Sequence, residues 1–212
     1  MDTDPITPMD RPGIDVADTQ APRCIAEVTL GWLEGVLRKA GRNVALASFS
    51  VERLSGGLMG NTYRIKLVHS EGSETMLPSV IFKCTGDSPS SRLLGKKGFG
   101  IEGRPGFYGA EVRFYDQFRD SVSIRAPQSF STWLSPDEDQ FSLLLEDYPN
   151  GRPGDEFEGC TQLQATDCMV SLAGLHAPFW NDKVLQTTDW MRPLSENLIP
   201  RLQGNMDRAL AR

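Results

Sequence analysis

Between Leu46 and Cys84 the sequence alternates apolar and polar residues in three stretches, which two turn-rich segments separate. The second stretch, TYRIKLVH, is the most regular, because Tyr63, Ile65 and Leu67 occupy every second position. A period of two puts one set of side chains on a single face of a strand. The intervening segments, GGLMGN and SEGSET, are rich in residues that favour turns. The pattern therefore predicts a three-stranded antiparallel meander.

The residues after the meander predict one helix and two further strands. A glycine-rich segment from Gly86 to Gly109 leads into AEVRFYDQFRD, where Val112, Tyr115 and Phe118 form an apolar stripe at helical spacing. Two extended segments follow, IRAPQSFSTWL and QFSLLLED, and the acidic turn SPDED joins them. The expected fold class is α+β, an antiparallel sheet with one packed helix.

The flanking segments complete the predicted domain organisation. We expect residues 1–20 to form a flexible tail and APRCIAEVTLGWLEGVLRKAG to form a helix before the sheet. The segment TQLQATDCMVSLAGLHAPFW also has helical spacing, and Pro178 ends it. Its apolar positions are expected to be buried: Leu163, Cys168 or Val170, Leu172 and Leu175. The predicted units are the tail 1–20, an α+β lobe 21–148 and an incomplete helical lobe 149–212.

Overall charge and cysteine content argue against several classes of protein. The 212 residues carry a formal net charge of -6, which disfavours nucleic acid as a partner because phosphate backbones bind basic surfaces. The four cysteines include no C-x-x-C pair, so a structural zinc site is not expected. The N-terminus lacks the basic start and apolar run of a signal peptide, and no stretch is apolar enough to cross a bilayer. We therefore expect a cytoplasmic protein without a membrane partner.

The turn between the first two strands contains Ser55, Gly56, Gly57, Gly60 and Asn61. Glycines at such a turn allow backbone N–H groups to approach phosphate oxygens closely. The turn does not end in G-K-[ST], so it is not a Walker A loop. A loose hairpin without a ligand explains the same residues, and the turn alone leaves both interpretations open.

Lys83 lies near the end of the strand SVIFKC and needs a partner, because burying an unpaired ammonium is costly. One hypothesis directs Lys83 to the α- and β-phosphates of a nucleotide, and the alternative has it reaching solvent from an edge strand. Glu111 lies near the start of the next helix, where the helix dipole also favours a carboxylate. The functional hypothesis pairs Glu111 with Lys83.

The order of these features is more specific than any one of them. A glycine turn, a lysine strand, a helix glutamate, two strands and the acidic segment LLLEDYPNGRPGD follow the layout of a protein-kinase-type small lobe. With GGLMGNTYRIKL, SVIFKCTG, EVRFYDQF and LAGLHAPFW, the chain resembles the aminoglycoside phosphotransferase and ecdysteroid-kinase-like superfamily from about Leu46 to Trp180. This resemblance implies a protein-kinase-like small lobe followed by the first helices of a large lobe.

The resemblance also implies an ATP-dependent kinase of a small hydroxylated molecule, with ATP and Mg²⁺ as cofactors. It assigns Lys83 to the phosphates and Glu111 to Lys83 as an ion-pair partner. Residues 55–61 become the loop over the phosphates. Glu146, Asp147 and Tyr148 become the hinge, whose backbone reads the adenine edge.

The residues that kinases use for phosphoryl transfer itself are missing from the sequence. That chemistry uses an H-x-D-x-x-x-x-N loop and a further aspartate that binds Mg²⁺. His176 is followed by Ala177 and Pro178, and no histidine comes after it. We therefore expect a chain truncated before the catalytic loop, inactive alone, without catalytic or metal-binding residues, and with an unknown small-molecule acceptor.

Two other interpretations remain open. The chain could be a non-catalytic nucleotide-binding or protein-interaction module that uses apolar surface in CMVSLAGL and APFW. In that case we expect a protein partner or self-association through this part of the large lobe. The chain could also be an α+β domain in which the order of the motifs is accidental.

Overall fold

The computed structural model describes residues 21–54, 59–74, 77–98, 105–152, 154–155, 157–191, 200, 203–204 and 206–208. Its centre is a five-stranded sheet in which all neighbouring strands are antiparallel. The strands are β1 Leu46–Leu54, β2 Gly60–His69, β3 Ser79–Thr85, β4 Ser129–Leu134 and β5 Phe141–Glu146. Their order across the sheet is β1-β2-β3-β5-β4, so β5 lies between β3 and β4. The predicted α+β class and the predicted antiparallel sheet are confirmed.

The described residues form five α-helices. They are α1 Leu30–Lys39, α2 Pro89–Lys97, α3 Phe107–Arg113, α4 Gln162–His176 and α5 Val184–Thr187. A π-helical turn, Phe114–Phe118, continues α3 directly. The predicted tail 1–20 and most of the segment after Trp190 lie outside the described residues.

Two helices differ from the sequence-based expectation: α1 begins later than predicted, and α2 forms where no helix is predicted. The apolar pattern predicts that α1 begins soon after residue 21, but it begins at Leu30, because the Thr29 side chain accepts a hydrogen bond from the Trp32 N–H and caps it there. α2 lies in the glycine-rich segment, where no helix is predicted. Its start signals are Ser88, which accepts from the Ser91 N–H, and Pro89 in the first turn.

α1 covers one face of the sheet. Leu33 and Leu37 of α1 are fully buried in a cluster with Val80 and Phe82 of β3 and Leu144 of β5. This helix closes the first hydrophobic core on that face.

α3 covers the opposite face. Tyr108 and Val112 are buried against Phe141, Leu143 and Leu145 of β5. Since Leu144 points to α1 and its neighbours to α3, β5 is buried on both faces, which explains its continuous apolar run. The prediction of one packed helix is therefore incomplete.

α4 forms where it is predicted, and a capping box between Thr161 and Gln164 begins it. Its apolar residues are not buried, however: Leu163 and Val170 are 71% and 67% exposed. The prediction of a buried face is wrong here, because no described element covers this side of α4 and none of its residues is buried. Among the described residues, no helix is both long enough and apolar enough to cross a membrane.

Candidate functional site

Lys83 lies on the sheet face that α3 covers, and its ammonium donates a hydrogen bond to Glu111 Oε1. The side chains of Lys83 and Glu111 are 27% and 31% exposed, so the ion pair lies at the border between core and solvent. β3 is an interior strand, between β2 and β5. The alternative that Lys83 reaches solvent from an edge strand is therefore wrong, and the expected contact with Glu111 forms.

Glu111 reaches Lys83 because of its place on α3. Tyr108 and Val112, which flank Glu111 in the helical repeat, are buried against the sheet, so their neighbour Glu111 also faces the sheet. Glu111 is the fifth residue of this helix, and the first turn contains no acidic residue. Because the helix dipole acts mainly on the first turn, it does not account for this carboxylate.

The strand register defines the surroundings of Lys83. Lys83 pairs with Thr62 of β2 and with Leu143 of β5, and Thr62 pairs with Leu54 of β1. Ile81, two residues before Lys83, points to the same face. Lys83 thus lies beside a strip of apolar side chains that is partly open to solvent at Leu54 and Ile81.

Of the predicted glycine loop, Ser55, Gly56 and Gly57 lie outside the described residues. Gly60 begins β2, where a β-carbon would lie 2.8 Å from the Cys84 carbonyl oxygen and 3.3 Å from the Phe141 ring. Packing against these two residues is thus sufficient to require glycine at this position.

Asn61 does not come together with Lys83. It pairs with Cys84 of β3, whose side chain lies in the cluster with α1, so the Asn61 side chain is on the face opposite Lys83. Its amide Nδ2 donates to Asp87 Oδ1 at 2.8 Å, and its Oδ1 accepts from Arg53 Nη2 at 2.7 Å. The Asn61 side chain therefore connects β1 to the segment that follows β3.

Asp147, directly after β5, has a side chain that is only 3% exposed. Its carboxylate accepts hydrogen bonds from Arg64 Nε at 2.7 Å and Nη2 at 3.3 Å, and from the Ser79 hydroxyl at 2.5 Å. The hydrogen bond to Asp147 raises the pKa of Arg64. These bonds attach the end of β5 to β2 and β3, so the Asp147 side chain has a structural role and only its backbone can face a ligand.

Glu146 and Tyr148 lie on either side of Asp147. Glu146 Oε2 accepts from the Gln128 N–H at 3.1 Å and from the Tyr148 hydroxyl at 3.4 Å. The Arg125 guanidinium lies 4.7 Å from the centroid of the Tyr148 ring, a cation–π contact. Among the described residues, the Tyr148 N–H has no hydrogen-bond acceptor.

Tyr115 is a neighbour of the site whose role the sequence does not reveal. It lies one helical turn beyond Glu111 and packs against the cluster that contains Tyr108. Burial, with a contribution from the Glu111 carboxylate, raises the pKa of Tyr115 to about 12. The Tyr115 phenol therefore remains protonated at physiological pH, and its apolar spacing in the sequence is the only signal that indicates its position.

Within the described residues, no group of three or more His, Cys, Asp or Glu side chains could hold a metal ion. A cavity of about 530 Å³ beside the end of β5 is lined by Arg125, Glu146 and Tyr148 among others. An apolar cavity of about 650 Å³ lies between the π-helical turn and the end of α4. Lys83 and Glu111 line neither of these cavities.

No protein-family model matches the chain, and no curated protein matches it either. The resemblance to small-molecule kinases therefore rests on the residues and their order alone.

Proposed function

We propose that the chain is the nucleotide-binding part of an ATP-dependent phosphotransferase that acts on a small hydroxylated molecule. The contact between Lys83 and Glu111 is the observation that carries this proposal. An ammonium has three N–H donors, and Glu111 accepts one of them. The remaining donors have no acceptor among the described residues other than Glu111 and can bind phosphate oxygens, and the carboxylate holds the ammonium in place.

The rest of the site supports an adenine nucleotide in an extended orientation. Ser79, four residues before Lys83 on β3, donates a hydrogen bond to Asp147 of the hinge. At roughly 3.3 Å per residue, the hinge lies about 13 Å from Lys83 along the strand. The partly exposed Ile81 side chain lies between these ends and offers an apolar surface for a purine ring. Leu54 of β1 lies level with Lys83 and extends this apolar surface. The Tyr148 N–H is a donor for a purine ring nitrogen.

The described residues account for nucleotide binding and not for the transfer step. ATP binds to kinases as its Mg²⁺ complex, in which the metal neutralises phosphate charge. The described residues contain no group of three or more His, Cys, Asp or Glu side chains that could hold a metal ion, so none of them is assigned to Mg²⁺. The sequence has no H-x-D-x-x-x-x-N loop, so no residue of this chain is assigned to orient the acceptor hydroxyl.

Thermal unfolding with increasing Mg-ATP tests the proposal. A ligand that binds only the folded state stabilises it by RT ln(1 + [L]/Kd), which is about 2.7 kcal/mol at 100 times Kd. We expect this stabilisation in the wild type and its loss in Lys83→Ala. Lys66→Ala is the matched control, because Lys66 is also a strand lysine paired with a carboxylate, Glu52, but on the solvent-exposed part of the sheet.

Two results would contradict nucleotide binding. One is a wild-type melting temperature that does not change with Mg-ATP. The other is a Lys83→Ala variant that Mg-ATP stabilises as strongly as it stabilises Lys66→Ala.

A non-catalytic interaction module is the second candidate, and the exposed apolar residues of α4 favour it. The two candidates differ in turnover. ATP consumption in the presence of sugars, aminoglycosides or choline would support the phosphotransferase, whereas ATP binding without any turnover fits a module. Because no residue of this chain is assigned to the transfer step, we expect binding without turnover from it alone, so only observed turnover would decide between the two candidates.

A further inference from the structure

Tyr108 is buried, and its phenol joins three other elements of the fold. Its hydroxyl donates to the Met59 carbonyl oxygen at 2.5 Å, directly before β2, and lies 3.3 Å from the Ser91 carbonyl oxygen in α2. Its ring stacks on Phe141 of β5, with centroids 4.5 Å apart. At Gly95 of α2, an added β-carbon would overlap the Tyr108 ring, so the α2 backbone lies directly against it.

This phenol is on the same side of α3 as Glu111. Tyr108 and Glu111 are three residues apart, a spacing that puts two side chains next to each other on a helix. The seven residues of α3 are too few to form a stable helix without tertiary contacts. Burial raises the pKa of Tyr108, so the hydroxyl remains a donor to Met59 over the physiological pH range.

Besides Tyr108 and the Glu111 contact with Lys83, another polar contact attaches α3 to a neighbouring element. Arg113, at the end of the helix, binds Glu138 in the turn between β4 and β5, with distances of 2.6 and 3.2 Å. That contact holds the far end of α3. Tyr108 holds the near end, less than one helical turn before the residue that touches Lys83.

We propose that Tyr108 is a positioning residue for Lys83. By fixing α3 against Met59 and Phe141, it places the Glu111 carboxylate on the Lys83 ammonium. The placement itself is independent of any ligand. Its consequence for nucleotide affinity rests on the proposed function.

Chemical labelling of Lys83 in the ligand-free protein tests the placement. A limiting amount of acetic anhydride acetylates each lysine according to how readily its unprotonated amine forms and how accessible it is. Mass spectrometry then compares the labelling of Lys83 with that of the exposed Lys39 in the same molecule. Glu111→Gln defines the labelling of an unpaired Lys83. We expect Tyr108→Phe, which removes only the hydroxyl, to raise the ratio of Lys83 to Lys39 labelling by roughly fivefold, toward the Glu111→Gln value.

Tyr63→Phe is the matched control, because Tyr63 is a partly buried tyrosine that packs on the α1 side of the sheet. Its labelling ratio should equal that of the wild type, even if its stability falls. Phe141→Leu removes the ring stacking and retains the Tyr108 hydroxyl, so it tests the same contact if Tyr108→Phe does not fold. We expect an intermediate ratio from it. The positioning role is overturned if Tyr108→Phe, or Phe141→Leu where Tyr108→Phe does not fold, has the same ratio of Lys83 to Lys39 labelling as the wild type.

Mg-ATP titration of the same variants separates this inference from the proposed function. If wild-type protein binds Mg-ATP, Tyr108→Phe should bind it roughly fivefold more weakly and Tyr63→Phe should bind it equally well. If the wild type does not bind Mg-ATP, the proposed function fails while the labelling ratios still decide the role of Tyr108. Equal affinity of Tyr108→Phe and wild type overturns the link from Tyr108 to the nucleotide.

Discussion

Glu138, in the turn between β4 and β5, has a left-handed backbone conformation with φ of 54°. For a residue with a β-carbon this conformation costs roughly 1–2 kcal/mol. The ion pair with Arg113 offsets the cost, because both guanidinium nitrogens Nη1 and Nη2 reach the carboxylate. Glu138 therefore combines a strained backbone conformation with an ion pair that stabilises the position of α3.

Two substitutions at Glu138 separate these contributions. Glu138→Ala and Glu138→Gly both remove the ion pair, but only glycine also relieves the strain. We expect Glu138→Ala to lower the free energy of unfolding by about 1–2 kcal/mol. Glu138→Gly should remain about 1 kcal/mol more stable than Glu138→Ala. Urea denaturation measures both values, and a glycine variant no more stable than the alanine variant would show that the turn is not strained.

Residues of the site differ in how far the sequence predicts them. The contact between Lys83 and Glu111 follows from the need of a strand lysine for a counter-charge and from the apolar stripe of the next helix. The period of two puts the buried Asn61 side chain on the same face as Tyr63, but its partners Arg53 and Asp87 do not follow from that spacing. Asp147 is likewise read from the sequence as part of a hinge, yet its partners Arg64 and Ser79 are far from it in the chain.

Among the helices, α2 shows that glycines required for close packing can be mistaken in the sequence for the glycines of a loop. Gly95 lies in the last turn of α2, where the Tyr108 ring contacts the backbone. Gly106, just before α3, leaves no space for a β-carbon beside the carbonyl of Lys96. Since glycine signals both turns and close approach, the sequence between β3 and α3 favours a loop although a helix forms there.

Alanine at two helix glycines should have opposite effects. Gly35 lies inside α1 with no atom near the position of an added β-carbon, whereas the same group at Gly95 overlaps the Tyr108 ring. We expect Gly35→Ala to stabilise the protein by about 0.5–1 kcal/mol, because alanine favours helix and restricts the unfolded chain. Gly95→Ala should destabilise it by about 1–3 kcal/mol through overpacking. Thermal and urea unfolding compare them, and equal effects would contradict direct contact between α2 and Tyr108.

Over the whole molecule, the alternating pattern predicts the sheet well. It does not predict that helices cover both faces of the sheet. A strand with one apolar face predicts that a helix layer covers that face, and β2 follows this pattern. β5 is apolar on both faces, but a short apolar run does not say which helices cover it. The same limit applies to α4, where apolar spacing predicts a buried face and the described residues leave that face exposed.

The exposed apolar residues of α4 should make the purified chain associate with itself. Leu163 and Val170 lie seven residues apart on one side of the helix, and both are largely exposed. We expect the apparent mass in size-exclusion chromatography to rise with protein concentration, and the double variant Leu163→Lys, Val170→Lys to abolish the increase. Ser171→Lys, at an exposed polar position of α4 outside the capping box, should leave it unchanged. A wild-type monomer at every concentration would contradict self-association through α4.

The strand order β1-β2-β3-β5-β4 has a consequence for synthesis on the ribosome. The chain is made from its N-terminus, so β1, β2 and β3 can pair as soon as they emerge. β5 is the final strand to emerge, yet it occupies the place between β3 and β4 and contributes to both hydrophobic clusters. Until translation has passed Glu146, α1 lacks Leu144 and Tyr108 lacks Phe141. The nascent domain therefore completes neither side of its core until the end of β5, the fifth of the described strands, has left the exit tunnel.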